Sequence, residues 1–257
     1  MQHLRRPAVA GTFYPDQSLT LSRKVKELIN AAPFSEGTAG AVPKALIVPH
    51  AGYIYSGATA ALAYARLAPA HATIKRVVLL GPVHRVPVRG LALAGATLFS
   101  TPLGDIKVDQ EAAMALAGMP QVVVSAPAHA QEHSLEVQLP FLQSVLDDFK
   151  LLPLAVGDAT PNEVAQVLEV LWGGPETLVV VSSDLSHFLP YASAQSVDSA
   201  TARSILQLNT TITHEQACGG TPINGLLVAA RAHQLEPQLL GLCNSGDTAG
   251  DKGRVVG

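Results

Sequence analysis

The chain has 257 residues, of which 48% are hydrophobic and only 14% charged, enough for a sizeable core and too apolar for a disordered protein. A formal charge of −3 with no basic stripe argues against nucleic acid as a partner. No apolar run reaches the roughly 18 to 20 residues of a membrane-spanning helix, the start does not read as a signal peptide, and two cysteines suit reduced thiols in the cytoplasm.

In chain order, the pattern predicts a helix over 19–30, a Gly- and Pro-containing loop over 31–43, a strand at 45–48 and a helix at about 57–67. A strand at 76–80 follows, then a strand at 91–98, a short helix at 109–116 and a short strand at 121–125. The stretch 133–146 reads as helical, with Leu135, Leu139 and Leu142 on one stripe. Strands at 151–156 and 178–181 flank a helix at 161–171 with Pro161 in its first turn. Helices at about 194–206 and 222–232 complete the alternation. Strand followed by helix, repeated, predicts an α/β fold: one domain over 1–257 with a central, mostly parallel sheet flanked by helices.

Several of these apolar runs end by presenting a side chain that binds metal or moves protons. In a parallel sheet, ligands bind in the crevice beyond the carboxyl ends of the strands. His50 follows the first strand in Pro49-His50-Ala51-Gly52-Tyr53, and His84 follows the second in Gly81-Pro82-Val83-His84. Neighbouring strands lie about 5 Å apart, so two strand-tip imidazoles come within reach of one ion. Taken singly, each reads first as a capping or loop histidine bonded to nearby backbone, and it is the repeated arrangement that favours a shared ion.

Asp184 and His187 stand three apart after the strand at 178–181, where a carboxylate can orient an imidazole for proton transfer if the segment turns helical. The bland alternative makes Asp184 a helix N-cap. Glu132 and Glu136 suit the positive end of a helix dipole, while His133 between them is a candidate to line the cavity. Cys218 lies before a helix start, which favours the thiolate; a small buried cysteine is the commoner reading, and only the two strand-tip histidines make it a ligand candidate. Cys243 reads as an ordinary strand cysteine, and His3, His71, His129, His214 and His233 read as solvated. No phosphate-binding or nucleophile-elbow motif is present, and the Gly-rich stretch 246–253 reads as a surface turn.

Taken together, these segments resemble the Memo family over nearly the whole chain. The resemblance rests on Ala8-Val-Ala-Gly-Thr-Phe-Tyr14, Pro-His-Ala-Gly-Tyr at 49–53, Gly-Pro-Val-His at 81–84 and Glu132-His-Ser-Leu-Glu-Val-Gln-Leu-Pro-Phe141. It continues through Ser-Ser-Asp-Leu-Ser-His at 182–187, Cys218-Gly219 and Asn244-Ser-Gly-Asp247. It implies a fold similar to class III extradiol dioxygenases, non-haem iron enzymes with two histidines and a glutamate on the metal. Carried over by position, it implies His50, His84 and Cys218 as ligands of a divalent metal and His187 as acid/base beside Asp184. Beside that carry-over, His133 is expected to act at the site with His187 and Asp184, and Tyr53, Arg85 and Glu132 are expected to contact substrate. A cysteine in place of the dioxygenase carboxylate softens the ligand set, so zinc or copper fits as well as the expected iron.

Arg85 stands where many relatives have histidine or a shorter motif, and implies a cationic pocket mouth suited to an anion. Relatives continue past Gly257 with a short hydrophobic strand, so an incomplete last sheet edge is expected. The resemblance further implies a shared pathway with a radical-SAM protein and a small third partner. Three functions stand beside one another: a dioxygenase-like redox enzyme, a peptide- or protein-binding module on the same scaffold, and a zinc-dependent hydrolase.

Overall fold

A computed structural model describes residues 3–32, 42–248 and 250–257. In chain order its strands are β1 (Leu4–Arg5), β2 (Ala45–Val48), β3 (Arg76–Pro82), β4 (Leu91–Leu93), β5 (Leu98–Thr101) and β6 (Gly104–Lys107). They continue with β7 (Val122–Val124), β8 (Lys150–Val156), β9 (Thr177–Ser182), β10 (His187–Leu189) and β11 (Val255–Val256). The helices are α1 (Ser18–Ala31), α2 (Tyr53–Tyr64), α3 (Gln110–Ala115), α4 (Ala126–Ala130), α5 (Leu139–Val145), α6 (Pro161–Leu171), α7 (Tyr191–Leu206), α8 (Gly220–Ala232) and the short α9 (Ser245–Thr248).

Six strands form the main sheet in the order β2-β9-β3-β8-β4-β7. Every pairing is parallel except β4 with β8. The middle strands β3, β8 and β9 are buried along almost their whole length, which is why they read as unbroken apolar runs: helices cover both faces of a parallel sheet. The two faces carry separate cores. One packs Tyr64, Phe141 and Leu67 against Val77 and Leu79; the other packs Leu168 and Ile223 against Val78 and Leu80. Alternate residues of a single strand thus feed opposite cores. The mixed α/β fold with a parallel-rich sheet matches the expectation. Among the described residues no helix is long and apolar enough to cross a membrane.

Four predicted elements differ. The strand expected at 91–98 is two strands, because Gly95 at φ +65 turns the chain in the left-handed region that glycine adopts freely; β5 then joins β1 and β6 in a second, three-stranded sheet. The helix expected at 133–146 begins as a single-turn helix at Glu136–Gln138, and α5 starts only at Leu139. Pro140 explains the break: it cannot donate to a preceding turn, but it fits the first turn of a new helix. The helix expected from residue 57 starts at Tyr53, directly after Gly52. Finally, the stretch 235–244 around Cys243 has no strand; a cavity of ≈ 1220 Å³ lies between it and β2, lined from both sides. Most of the loop expected at 31–43 lies outside the described residues, as does position 249 of the Gly-rich stretch, whose start is α9.

Candidate metal centre

The carboxyl ends of β2, β9 and β3 lie side by side, with Val48 registered to Ser182 and Leu80 to Val181. His50 and His84 leave the tips of the two strands that flank β9, and His133 arrives from the turn before α5. The three ring centroids are 4.6 to 5.3 Å apart, and one nitrogen of each ring lies within 4.8 Å of the others. Cys218 closes the group, with Sγ 3.4 Å from His50 Nε2. Its loop reaches the tip of β9 because the next residue is glycine: a Cβ on Gly219 would sit 2.6 Å from Ser183 Cβ. The Gly219 N–H donates to Ser183 Oγ at 2.9 Å and pins the approach.

Hydrogen bonds around the rings fix which nitrogen faces the cluster. Ser182 Oγ donates to the Ser134 carbonyl at 2.6 Å and accepts from Gln138 Nε2 at 2.8 Å. Its one proton is thus committed, so at 3.0 Å it accepts from His50 Nδ1–H. His84 Nδ1 donates to Glu132 Oε1 at 2.9 Å. Both rings carry the proton on Nδ1, held by a neighbour, and present Nε2 inward. That is the orientation of metal-ligating histidines backed by an acceptor.

Charge follows from the same contacts. Burial opposes charge on His84, but its hydrogen bonds to Cys218 and Glu132 outweigh it and push the ring up to about 10. Burial raises the Cys218 thiol, and hydrogen bonds from His50 and His84 more than reverse this, bringing it down to about 6. Glu132, though buried, is held down at about 2 by His84 and by the Ser134 N–H. His133 goes the other way, to about 4, through burial and then the charge on His50. Without an ion the centre is a thiolate among imidazoles, with one ring kept neutral.

The other sequence candidates are placed as follows. Asp184 does not serve His187: its Oδ1 accepts from the backbone N–H of His50 at 2.7 Å and of Ala51 at 3.2 Å, tying the β9 tip to the β2 tip. The helical turn that would have paired the two does not form, because the chain runs into β10. His187 Nδ1 instead donates to the Leu185 carbonyl at 2.9 Å. Glu132 is buried beneath His84, out of a substrate's reach. Tyr53 is only 4% exposed and gives its hydroxyl to the Val137 carbonyl at 2.7 Å, so it belongs to the core. Arg85 is exposed and lines neither described cavity.

His129, expected in solvent, is buried against Phe99 with Nε2 donating to the Ala92 carbonyl at 2.7 Å. His214 is exposed but lines a cavity beside Cys218, and His233 stacks on Trp172. His3 and His71 are exposed as expected. Ser182 and Gln138 were missed. A polar Gln138 inside the apolar run from Val137 to Leu139 was the available signal, since buried polar groups need partners.

The sequence matches the family of Memo-like proteins over residues 5–257. The chain belongs to the Memo family. MEMO1 family proteins of Metallosphaera sedula and Aquifex aeolicus are each 34% identical, across 98% of this chain and 96% of theirs. One from Methanosarcina mazei is 36% identical across 99% of this chain and 97% of its own. A solved structure of an uncharacterized Escherichia coli K12 protein superposes with a TM-score of 0.47 at 17% identity, covering 75% of this chain and 89% of that one.

Proposed function

We propose that this Memo-family chain is a metal-dependent redox enzyme whose His50, His84 and Cys218 hold one divalent ion. The observation that carries the reading is the inward Nε2 of both imidazoles against a lowered thiol, each imidazole fixed from behind. Two ligands at about 2.0 to 2.3 Å from one tetrahedral ion lie roughly 3.3 to 3.8 Å apart, and Cys218 Sγ stands 3.4 Å from His50 Nε2. The donor set therefore fits a metal. His133, kept neutral, is close enough to complete a three-histidine set or to face the open position.

A bound iron would supply redox chemistry and activation of dioxygen or substrate; zinc in the same set would supply Lewis acidity and support hydrolysis instead. The protein's own contribution is clearer. Glu132 and Ser182 hold the two imidazoles in one tautomer, and Asp184 locks the β2 tip that carries His50. His187 spends Nδ1–H on the Leu185 carbonyl, leaving Nε2 free to take or give a proton to a ligand in either cavity it lines.

The test is elemental analysis of protein purified without oxygen or chelator, together with oxygen uptake. About one equivalent of iron is expected, lost in a His50→Ala, His84→Ala double variant along with any oxygen consumption. Full metal content in that variant would refute the ligand assignment, and oxygen uptake that survives the loss of metal would refute the redox role. Zinc at full occupancy would turn the reading toward hydrolysis.

A further inference from the structure

Strand β2 is an edge of the main sheet and pairs with β9 alone. The N–H groups of Val179 and Ser183 donate to the carbonyls of Lys44 and Val48. Backbone groups alternate in direction along a strand, so those of Ala45 and Ile47 point away from β9. Among the described residues no strand pairs with them. Natural edges are commonly protected by a charge, a proline or a bulge that keeps other strands away. Ala45-Leu46-Ile47-Val48 carries none of these.

This edge faces the cavity of ≈ 1220 Å³ between β2 and the stretch 235–244. Helices wall the cavity on both faces of the sheet. Ala63 of α2 lines it from the side of one core, and Leu226 and Leu227 of α8 from the side of the other. Leu239 and Leu242, 50% and 39% exposed, line it on the stretch opposite β2. The helical layers thus continue past the last strand and leave a slot beside it. Donors and acceptors that recur at every second residue match the backbone of another extended chain. The volume exceeds the roughly 300 to 1,000 Å³ of small-molecule sites. Walls that are apolar on both faces call for a strand apolar at every position, as β3, β8 and β9 are. Because 235–244 stands across the slot, the edge of a second folded copy does not fit it, whereas a flexible segment does.

We propose that β2 is a docking edge, and that it takes an extended, uninterrupted apolar segment of another polypeptide as an added strand. The proposal goes beyond the metal reading and is independent of it. The probe is a fluorescein-labelled hexapeptide of valine and isoleucine with a lysine tail for solubility, titrated into the native protein by anisotropy. Two control peptides accompany it. One has serine at every second position; the other is N-methylated along the apolar residues, which keeps the side chains and removes the N–H donors.

The native protein is expected to bind the probe about tenfold more tightly than either control. Ile47→Pro should weaken binding by about tenfold, since it removes an outward N–H but none of the ladder to β9. Ala230→Phe, in the α8 wall of the slot, should block the probe while the thermal midpoint is kept, because the cavity has room for the ring. If neither variant folds, the comparison of peptides on the native protein decides alone. No binding of the probe, equal binding of either control, or undiminished binding in a folded variant would each overturn the proposal. Dimerisation of the protein without binding of the probe would overturn it too, by assigning the edge to a second copy.

Discussion

Glu132 and Glu136 stand four residues apart and are both buried, yet each serves a different part of the molecule. Glu132 accepts from His84 at its ring and at its backbone, and from the Ser134 N–H, all groups of the candidate metal centre. Glu136 accepts from Arg5, from the backbone of Ala8 and Val9, and from the Tyr14 hydroxyl, all groups of the amino-terminal segment. A carboxylate paired with a guanidinium faces a partner that never loses its charge, and so acts as a strut. A carboxylate paired with an imidazole faces a partner whose proton can move, and so sets the basicity of a ligand. Arg5 links the two, since its second guanidinium nitrogen donates to the Glu132 carbonyl at 2.6 Å. The strut thus also fixes the backbone of the residue that holds His84.

The largest expected effect breaks the strut. Glu136→Gln leaves Arg5 buried without a counter-charge, and loss of one partner of a buried pair costs about 3 to 5 kcal/mol. Urea unfolding of the metal-free protein should show a drop of that size. Replacing both partners together, Arg5→Met with Glu136→Leu, should recover part of it, because no uncompensated charge then remains. A single variant as stable as the native chain would remove Glu136 from the role assigned to it.

Glu132→Gln should separate the two sites. It keeps the shape but removes the charge and turns an amide NH2 toward one of the N–H groups of His84 or Ser134. A loss of unfolding free energy is therefore expected that is smaller than for Glu136→Gln, because the imidazole can give up its proton. Zinc affinity should weaken about 10- to 100-fold, the usual effect of altering a residue behind a ligand. Competition with a chromophoric chelator measures the affinity. If Glu132→Gln instead destabilises the metal-free fold as much as Glu136→Gln does, the distinction between strut and ligand support disappears.

The contrast also explains what the sequence could reveal. The strands β3, β8 and β9 were readable because they are buried on both faces, so their own composition records their place. That His50, His84 and Cys218 come together was readable because each follows a strand tip or precedes a helix start, where side chains converge on the crevice. Glu132, Glu136 and His129 were not. A helix dipole explains an acid before a helix as well as a buried partner does, and only tertiary contact with Arg5 or His84 decides between them. The pairing of Asp184 with His187 failed for a related reason: spacing of three residues means proximity only if the segment is helical, and that depends on β11, whose two residues come from the far end of the chain.

His129 gives the smallest and most specific test, because it stands beside Arg5 on the strut side. Burial first, and then the positive charge of Arg5, push its ring down to about 4, while the unfolded chain titrates near 6.5. The folded state therefore prefers the neutral ring. Its contribution is fully present above the unfolded value and is lost as pH falls from about 6.5 toward 4. Between pH 7 and about pH 5.5 this amounts to about 1 kcal/mol. His129→Phe should lower stability by a constant amount, since the hydrogen bond to the Ala92 carbonyl is lost at every pH, and should flatten the slope in that window by about the same 1 kcal/mol. Unfolding free energies of the two proteins across the window give the difference directly, and parallel pH profiles would mean that His129 titrates alike in the folded and unfolded chain and that neither burial nor Arg5 governs it.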